Sequence, residues 1–378
     1  MRHACNLLLL CRIAFLWTPA AQAQDVAIQR VTDHVITLSM SNLGMHTNVT
    51  VIETQKGLVV IETEMTPGIM QTIKEAAEKK LGRNDWAYVI NTHQHLHHAG
   101  GNCVFPDAQI IGHERMSMDR LKSTLSTDRG RRAYCGMIGV DTALRQLQQN
   151  LTQARLTPAQ RETLRKRRRF CEALKQEIMT GFEVRNPTIT IDEHYELDMG
   201  DIHLRLTDWG AGINHSSIFV HVVEDNLLVG MSMAGKWIPH FVDHEPSLEG
   251  IRRVISMWEK LCDEDFPIDV MIGVHKPYLI RSRQRFQQES TYFQTMLDDL
   301  TQAQQDGLSL EQAKAEFSLN KRHAHFCRYF TLPEPERREK KQQETIDTIW
   351  ELLQKEELTA RVDGTSNKQV GPERQAAP

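Results

Sequence analysis

The sequence predicts a layered α/β protein, and three observations carry that prediction. Short runs rich in Val, Ile and Leu alternate with stretches of helical spacing. At 378 residues with 40% hydrophobic and 25% charged, the chain has enough apolar side chains to bury a substantial core. A dense histidine group follows directly on one of the buried-looking strands. The charge balance, 45 Lys and Arg against 49 Asp and Glu, argues against a general nucleic-acid binder. No uninterrupted apolar stretch of about 20 residues follows the N-terminus, which argues against an integral membrane protein.

Residues 1–23 have the form of an export signal. Arg2 and His3 precede the apolar runs Leu7–Leu10 and Ile13–Trp17, and Pro19 with Ala21-Gln22-Ala23 supplies a small-x-small cleavage site. Cleavage there starts the mature chain at Gln24 and places it in an oxidising compartment, periplasmic or secreted. Five cysteines remain, Cys103, Cys135, Cys171, Cys262 and Cys327, an odd number with no metal-type spacing. Cys135 and Cys171 flank a helical segment and are candidates for a bridge, although sequence cannot assign pairs.

From Val26 to about Glu64 the pattern is strand-like. Asn48–Glu53, a turn at Gln55-Lys56-Gly57 and Leu58–Ile61 form a predicted hairpin. Helical spacing over 67–81 ends near Gly82. Ala87–Ile90 and Ala108–Ile111 are predicted strands. Residues from 114 to about 186 are polar and rich in Gln, Leu and Arg, with Leu144, Leu147, Leu151 and Leu156 at roughly helical spacing, and read as a helical insertion. Its basic run Arg165–Arg169 is read as a solvated helix face rather than an anion-attracting lip at the site. Strands resume at 188–191, 195–197, 202–207, 217–223 and 227–229, with Asp225-Asn226 as a turn. Val270–Val274 leads to His275. Residues 284–320 and 341–357 are predicted amphipathic helices, and the tail from about Val362 is predicted to be disordered. The expected divisions are 1–23 signal, 24–283 main domain, 284–357 helical extension and 358–378 tail.

The chemistry lies in three histidine segments. In Asn91-Thr92-His93-Gln94-His95-Leu96-His97-His98-Ala99-Gly100-Gly101, four of six positions from 93 to 98 are His. On an extended segment, residues two apart point the same way. His93 and His95 can therefore grip one ion while a turn into helix brings His98 to face a second. Imidazole suits Zn²⁺, which in catalytic sites takes three protein ligands and leaves a position open. The Gly-Gly that follows lets the helix pack close to this loop. His215, in Gly212-Ile213-Asn214-His215-Ser216, and His275, in Gly273-Val274-His275-Lys276, each sit where a strand meets a loop. Each supplies a third ligand to one ion.

These segments resemble the metallo-β-lactamase superfamily of metal-dependent hydrolases over roughly residues 26–280. The family cluster His-x-His-x-Asp-His falls on His93, His95, His97 and His98, and its later ligands fall on His215 and His275. The resemblance implies a four-layer αβ/βα sandwich with metals at one edge, carrying a helical insertion and C-terminal helices. It also implies one or two Zn²⁺: a first held by His93, His95 and His215, a second by His97, His98 and His275. Two departures stand out. The family Asp is His97 here, and the usual later carboxylate falls on Met231, with Ser232 one place away.

Six neutral imidazoles around two Zn²⁺ and a hydroxide leave one more positive charge than a set containing a carboxylate. That favours anionic substrates and weakens retention of the second ion. The expected activity is hydrolysis of an amide or ester, with a β-lactam as one candidate, by metal-bound hydroxide on a small-molecule substrate. His97 is a candidate proton shuttle and Lys276 a candidate grip for a substrate carboxylate. Glu62, where the family often has Asp, would brace a metal histidine. Trp209 either walls the pocket or belongs to the core, and His113, His203, His221 and His323 are read as structural or exposed. The alternatives are a lactone, phosphoester or sulfate-ester hydrolase, or a non-catalytic metal-binding protein. Fold alone does not choose among them.

Overall fold

Side chains that alternate along the strands build two facing sheets. The computed structural model describes residues 26–40, 47–153, 155–209, 217–230, 246–263, 265–275, 279–281, 283–329 and 334–366. The first sheet is seven-stranded, in the order β1 (Val26–Arg30), β2 (Val35–Met40), β3 (Val49–Thr54), β4 (Gly57–Ile61), β5 (Trp86–Ile90), β6 (Gln109–His113) and β7 (Ile189–Ile191). The second is six-stranded. Its spatial order runs from β8 (His194–Asp198) through β9 (His203–Asp208), β10 (Ile218–Val222), β11 (Leu227–Val229) and β12 (Val270–Ile272) to β13 (Leu279–Ile280).

Along β4, Val59 and Ile61 face the other sheet while Leu58 and Val60 face outward. Along β10, Ile218, Val220 and Val222 face inward and Phe219 outward. The period of two therefore divides the apolar residues into one layer between the sheets and one on each outer face.

The outer faces are covered by helices. The first sheet packs against α1 (Pro67–Leu81) and the insertion helices α3 (Asp119–Leu125), α4 (Asp128–Met137), α5 (Val140–Leu151) and α6 (Pro158–Thr180). The second packs against α7 (Leu248–Cys262), α8 (Arg283–Gln305), α9 (Leu310–Glu316) and α10 (Pro335–Ser366), with Trp258, Phe286, Tyr292 and Phe293 at the centre. This is the four-layer αβ/βα sandwich. Among the described residues no helix is long and apolar enough to cross a membrane.

Strand direction positions the site. β1 to β4 are antiparallel neighbours, whereas β4–β5, β5–β6 and β6–β7 are parallel and need crossovers. Helix α1 makes the first crossover. The short α2 (Leu96–Ala99) and a 3₁₀ turn at Asn102–Val104 make the second, and α3–α6 make the third. The histidine cluster thus follows the C-terminal end of a central parallel strand, where open α/β sheets place their ligands.

Three expectations change. Residues 284–320 are two helices: Gly307 (φ 76°) breaks the run, and Ser309 opens α9 with a capping box to Gln312. Helix α10 continues through Val362 to Ser366, since extending a helix already nucleated upstream adds one hydrogen bond per residue without a new nucleation cost. Cys135 and Cys171 are both buried against the first sheet as free thiols with no bond between them. The proposed signal (1–23), Met231, Ser232 and the last twelve residues lie outside the described residues.

Candidate metal centre

Beyond Ile61 the chain leaves β4 with Glu62 and Glu64 both in the left-handed region, at φ 69° and 58°. Such backbone costs a non-glycine residue about 1–2 kcal/mol. The surroundings hold it in place. Glu62 N–H donates to Ile90 O (2.9 Å), Thr63 N–H to His98 O (2.7 Å), Gly100 N–H to Glu64 O (2.9 Å) and Gly101 N–H to Thr63 O (3.0 Å). The two loops lie so close that a Cβ on Gly100 would sit 2.2 Å from Met65 O, and one on Gly101 2.2 Å from Thr63 O. A buried amide network supports the same crossing. Thr63 Oγ1–H and Asn91 Nδ2–H donate to Asn102 Oδ1 (2.7 and 3.1 Å), and Asn102 Nδ2–H donates back to Asn91 Oδ1 (2.8 Å).

This frame gathers five imidazoles. Ring centroids lie 4.6 Å apart for His93 and His95, 4.4 Å for His93 and His98, and 4.2 Å for His97 and His98. His275 comes from the end of the second sheet to within 4.8 Å of His98 and 5.4 Å of His97. Candidate ligand atoms of His97, His98 and His275 fall within 4.8 Å of one another, as do those of Glu62, His93 and His98. His215 and Lys276 lie outside the described residues.

Two neighbours fix the rings. Glu62 Oε1 accepts from Thr92 N–H (3.0 Å) and, at short range, from Thr92 Oγ1–H. With its proton so committed, Thr92 Oγ1 accepts from His93 Nδ1–H at 2.9 Å. Glu62 Oε2 lies 3.0 Å from His98 Nδ1, off the line of an ideal hydrogen bond but within ion-pair reach. One carboxyl therefore steers two imidazoles, His98 directly and His93 through Thr92, and aims both Nε2 atoms away from the loop. Oε1 is fully engaged by Thr92, while Oε2 faces His98 without a hydrogen bond, so Glu62 stands beside both rings and within the candidate group it forms with His93 and His98.

His275 has its own support. Thr47 and His275 form an antiparallel bridge, Asn48 N–H donates to Val274 O (2.8 Å), and Asn48 Nδ2–H donates to Gly273 O (2.6 Å) and His275 O (3.3 Å). The start of β3 thereby ties the two sheets together at the site.

Burial sets the electrostatics. Desolvation first, then the neighbouring imidazoles, holds His93 and His98 well below the ordinary histidine range and His97 at about 3. The rings are neutral, which is the ligand form. Burial also pushes the carboxyls of Glu62 and Glu64 up to about 8. A cation reverses that pressure.

The residues fit a metal on a separate test. His93 Nε2, His97 Nε2 and His98 Nε2 are buried and lack any hydrogen-bond partner among the described residues. Buried polar atoms are nearly always paired. Three orphaned imidazole nitrogens within one cluster of rings supply donors suited to a borderline cation such as Zn²⁺.

The other residues singled out from sequence serve the fold. Trp209 stacks on Phe219 (4.7 Å between centroids) and meets Phe266 edge-on, so it belongs to the outer core of the second sheet. His221 lies against Phe266 on the same face. His203 is exposed and pairs with Glu224. His323 is buried, held by Asp299 at Nε2 (2.8 Å) and by Gln342, which donates to Nδ1 (3.0 Å). His113 is buried 2.9 Å from Asp208, joining the ends of β6 and β9. Thr92, Asn48 and Glu64 had no sequence signal. Thr92 could have been sought as the residue beside the cluster, but the tie from Asn48 depends on a pairing between residues more than 200 apart in the chain.

The metallo-β-lactamase superfamily model matches residues 43–229. No curated protein matches the chain. Among solved structures, the fold resembles a metallo-β-lactamase from Pontibacter korlensis at 11% identity and TM-score 0.47, covering 71% of this chain and 99% of that one. It also resembles the inverting sec-alkylsulfatase Pisa1 from Pseudomonas sp. at 14% identity and TM-score 0.54, covering 92% of this chain and 52% of that one. The chain thus spans about half the length of the sulfatase.

Proposed function

The chain belongs to the metallo-β-lactamase superfamily, whose members are generally metal-dependent hydrolases, and from that premise we propose that it is an exported zinc hydrolase of small anionic esters or amides. The observation that carries this reading is the set of buried, neutral, orphaned imidazoles at the edge of the sandwich. His93 and His95, with His215, would hold one cation, and His97, His98 and His275 the other. Bound there, a divalent cation supplies activation of water near neutral pH and polarisation of the scissile group.

The chain's own residues do the rest. Glu62 and Thr92 orient His98 and His93, and Asn48 holds the strand end that presents His275. Burial keeps His97 free of a proton, the form in which an imidazole binds the second cation, and with its pKa at about 3 it is too weak a base to take a proton from water near neutral pH. With His97 in place of an Asp, no ligand named above is an anion. The resulting positive centre favours a substrate that brings its own charge, as a sulfate, phosphate or carboxylate does. Lys276, next to His275 in sequence, is the proposed grip for that charge.

The main domain is assigned to residues 24–283, with an insertion at about 114–186 and a helical extension at 284–357. Export rests on the signal pattern at 1–23, and N-terminal sequencing of the mature protein should begin at Gln24. The activity test is a panel of chromogenic sulfate, phosphate and carboxylate esters together with a β-lactam, run on zinc-loaded protein and on His98→Ala. Turnover of an anionic ester above the β-lactam, lost in the variant, is expected. Zinc binding without turnover of any probe would leave a metal-binding protein and refute the hydrolase reading.

A further inference from the structure

Between residues 119 and 180 the chain carries fourteen Lys and Arg against six Asp and Glu, in a protein whose total charge is −4. The structure shows that these six acids are already engaged. Asp119, Asp128, Asp141, Glu162 and Glu172 pair with Lys122, Arg131, Lys175, Arg169 and Arg168. Glu177 accepts from Gly68 N–H at the start of α1 (2.7 Å). Arg155, Arg165, Lys166 and Arg167 are exposed and form no ion pair among the described residues. Arg120, Arg129, Arg132 and Arg145 are likewise exposed and outside these ion pairs, so the basic excess runs along the insertion, and four of its cations lie on the outer part of the α5–α6 hairpin.

Beside these cations the hairpin has a groove of about 490 Å³, lined by Leu156, Ala159 and Leu164 with Asn150, Gln153 and Gln160. Its shape is held from within. Arg161 donates to Leu151 O across the hairpin (3.1 Å), and Thr157 and Gln160 close a capping box at the start of α6. Glu177 marks where α6 meets the start of α1, just after the segment carrying Glu62 and Glu64. At about 1.5 Å per residue, the run 165–169 lies roughly 12–18 Å farther out along the helix axis. That distance separates it from the metal centre, so it does not serve as a lip for a small substrate.

We infer that the α5–α6 hairpin is a docking surface for an anionic lipid bilayer. Unpaired cations in front of a partly apolar groove match an interface that offers phosphate charge and hydrocarbon together. Duplex nucleic acid offers only the charge. Docking would hold the hydrolase at a membrane without a spanning helix, and it goes beyond the hydrolase reading because no metal ligand takes part.

The test is co-sedimentation of the zinc-loaded protein with phosphatidylcholine vesicles, with and without phosphatidylglycerol. The expected result is binding to the anionic vesicles that weakens as salt is raised. Arg165→Gln/Lys166→Gln/Arg167→Gln should weaken it on the order of 100-fold, given about 1 kcal/mol per basic residue near an anionic surface, with zinc content and melting temperature unchanged. Leu156→Gln should reduce the part of the binding that survives high salt. Equal partition into neutral and anionic vesicles, or a triple variant that binds like the parent, would overturn the inference. So would binding to duplex DNA without binding to the anionic vesicles.

Discussion

Replacing Glu62 with Gln separates the two things this buried carboxyl does. Its oxygens orient His98 at 3.0 Å and, through Thr92, His93. Glutamine keeps the size and one acceptor oxygen but removes the charge that balances a cation bound beyond the rings. Partners of this kind are worth 10- to 100-fold in metal affinity, or about 1.4–2.8 kcal/mol. The apoprotein should respond in the opposite sense. Burial raises the Glu62 pKa from 4.5 to about 8, so the carboxyl's stabilising contribution is complete below about pH 4.5 and is lost as pH rises through 8. Gln cannot ionise, and metal-free Glu62→Gln should hold its melting temperature better than the parent above pH 8. The assay is a zinc titration against a competing chelator, paired with thermal melts of the metal-free forms across pH. Unchanged zinc affinity would refute the bracing role, and an apoprotein that melts earlier at alkaline pH would refute the burial argument.

Further outcomes follow from other contacts. Asn48→Ala removes the side-chain bonds to Gly273 O and His275 O and should weaken the second zinc while leaving the first, a difference visible as a loss of stoichiometry in the same titration. Gly101→Ala puts a Cβ against Thr63 O and should destabilise the fold by about 1–3 kcal/mol by denaturant melt, with the metal loop displaced. Glu289, buried in α8 beside Arg285, has its pKa raised to about 7 by burial. Its contribution is present below about pH 4.5 and lost through pH 7. The parent should therefore lose on the order of 3 kcal/mol relative to Glu289→Gln between pH 5 and 8, and parallel stability curves would contradict this.

Much of the fold was legible because period-two alternation and helix punctuation are local. The hairpin at 48–61, the helix ending at Gly82 and the turn at Asp225-Asn226 are written in adjacent residues, and the structure has them there. The cluster 93–98 was legible for the same reason. The supports were not. The left-handed backbone at Glu62 and Glu64, the Thr92 relay and the tie from Asn48 to the His275 strand all arise from contacts across sheets, which no spacing rule encodes. The split at Gly307 went unread because apolar spacing continues on both sides of it. The basic run 165–169 reads as a solvated helix face from spacing, and its Arg165, Lys166 and Arg167 are exposed, while the pairing of the nearby acids depends on contacts that the sequence does not encode.

Imidazoles from distant parts of the chain are proposed to share a cation. X-ray absorption at the zinc edge of the loaded protein reads the ligands of that cation. A nitrogen and oxygen shell at about 2.0–2.1 Å with strong imidazole scattering, diminished in His98→Ala, is expected. A sulfur shell at about 2.3 Å, or a spectrum that the substitution leaves unchanged, would contradict it.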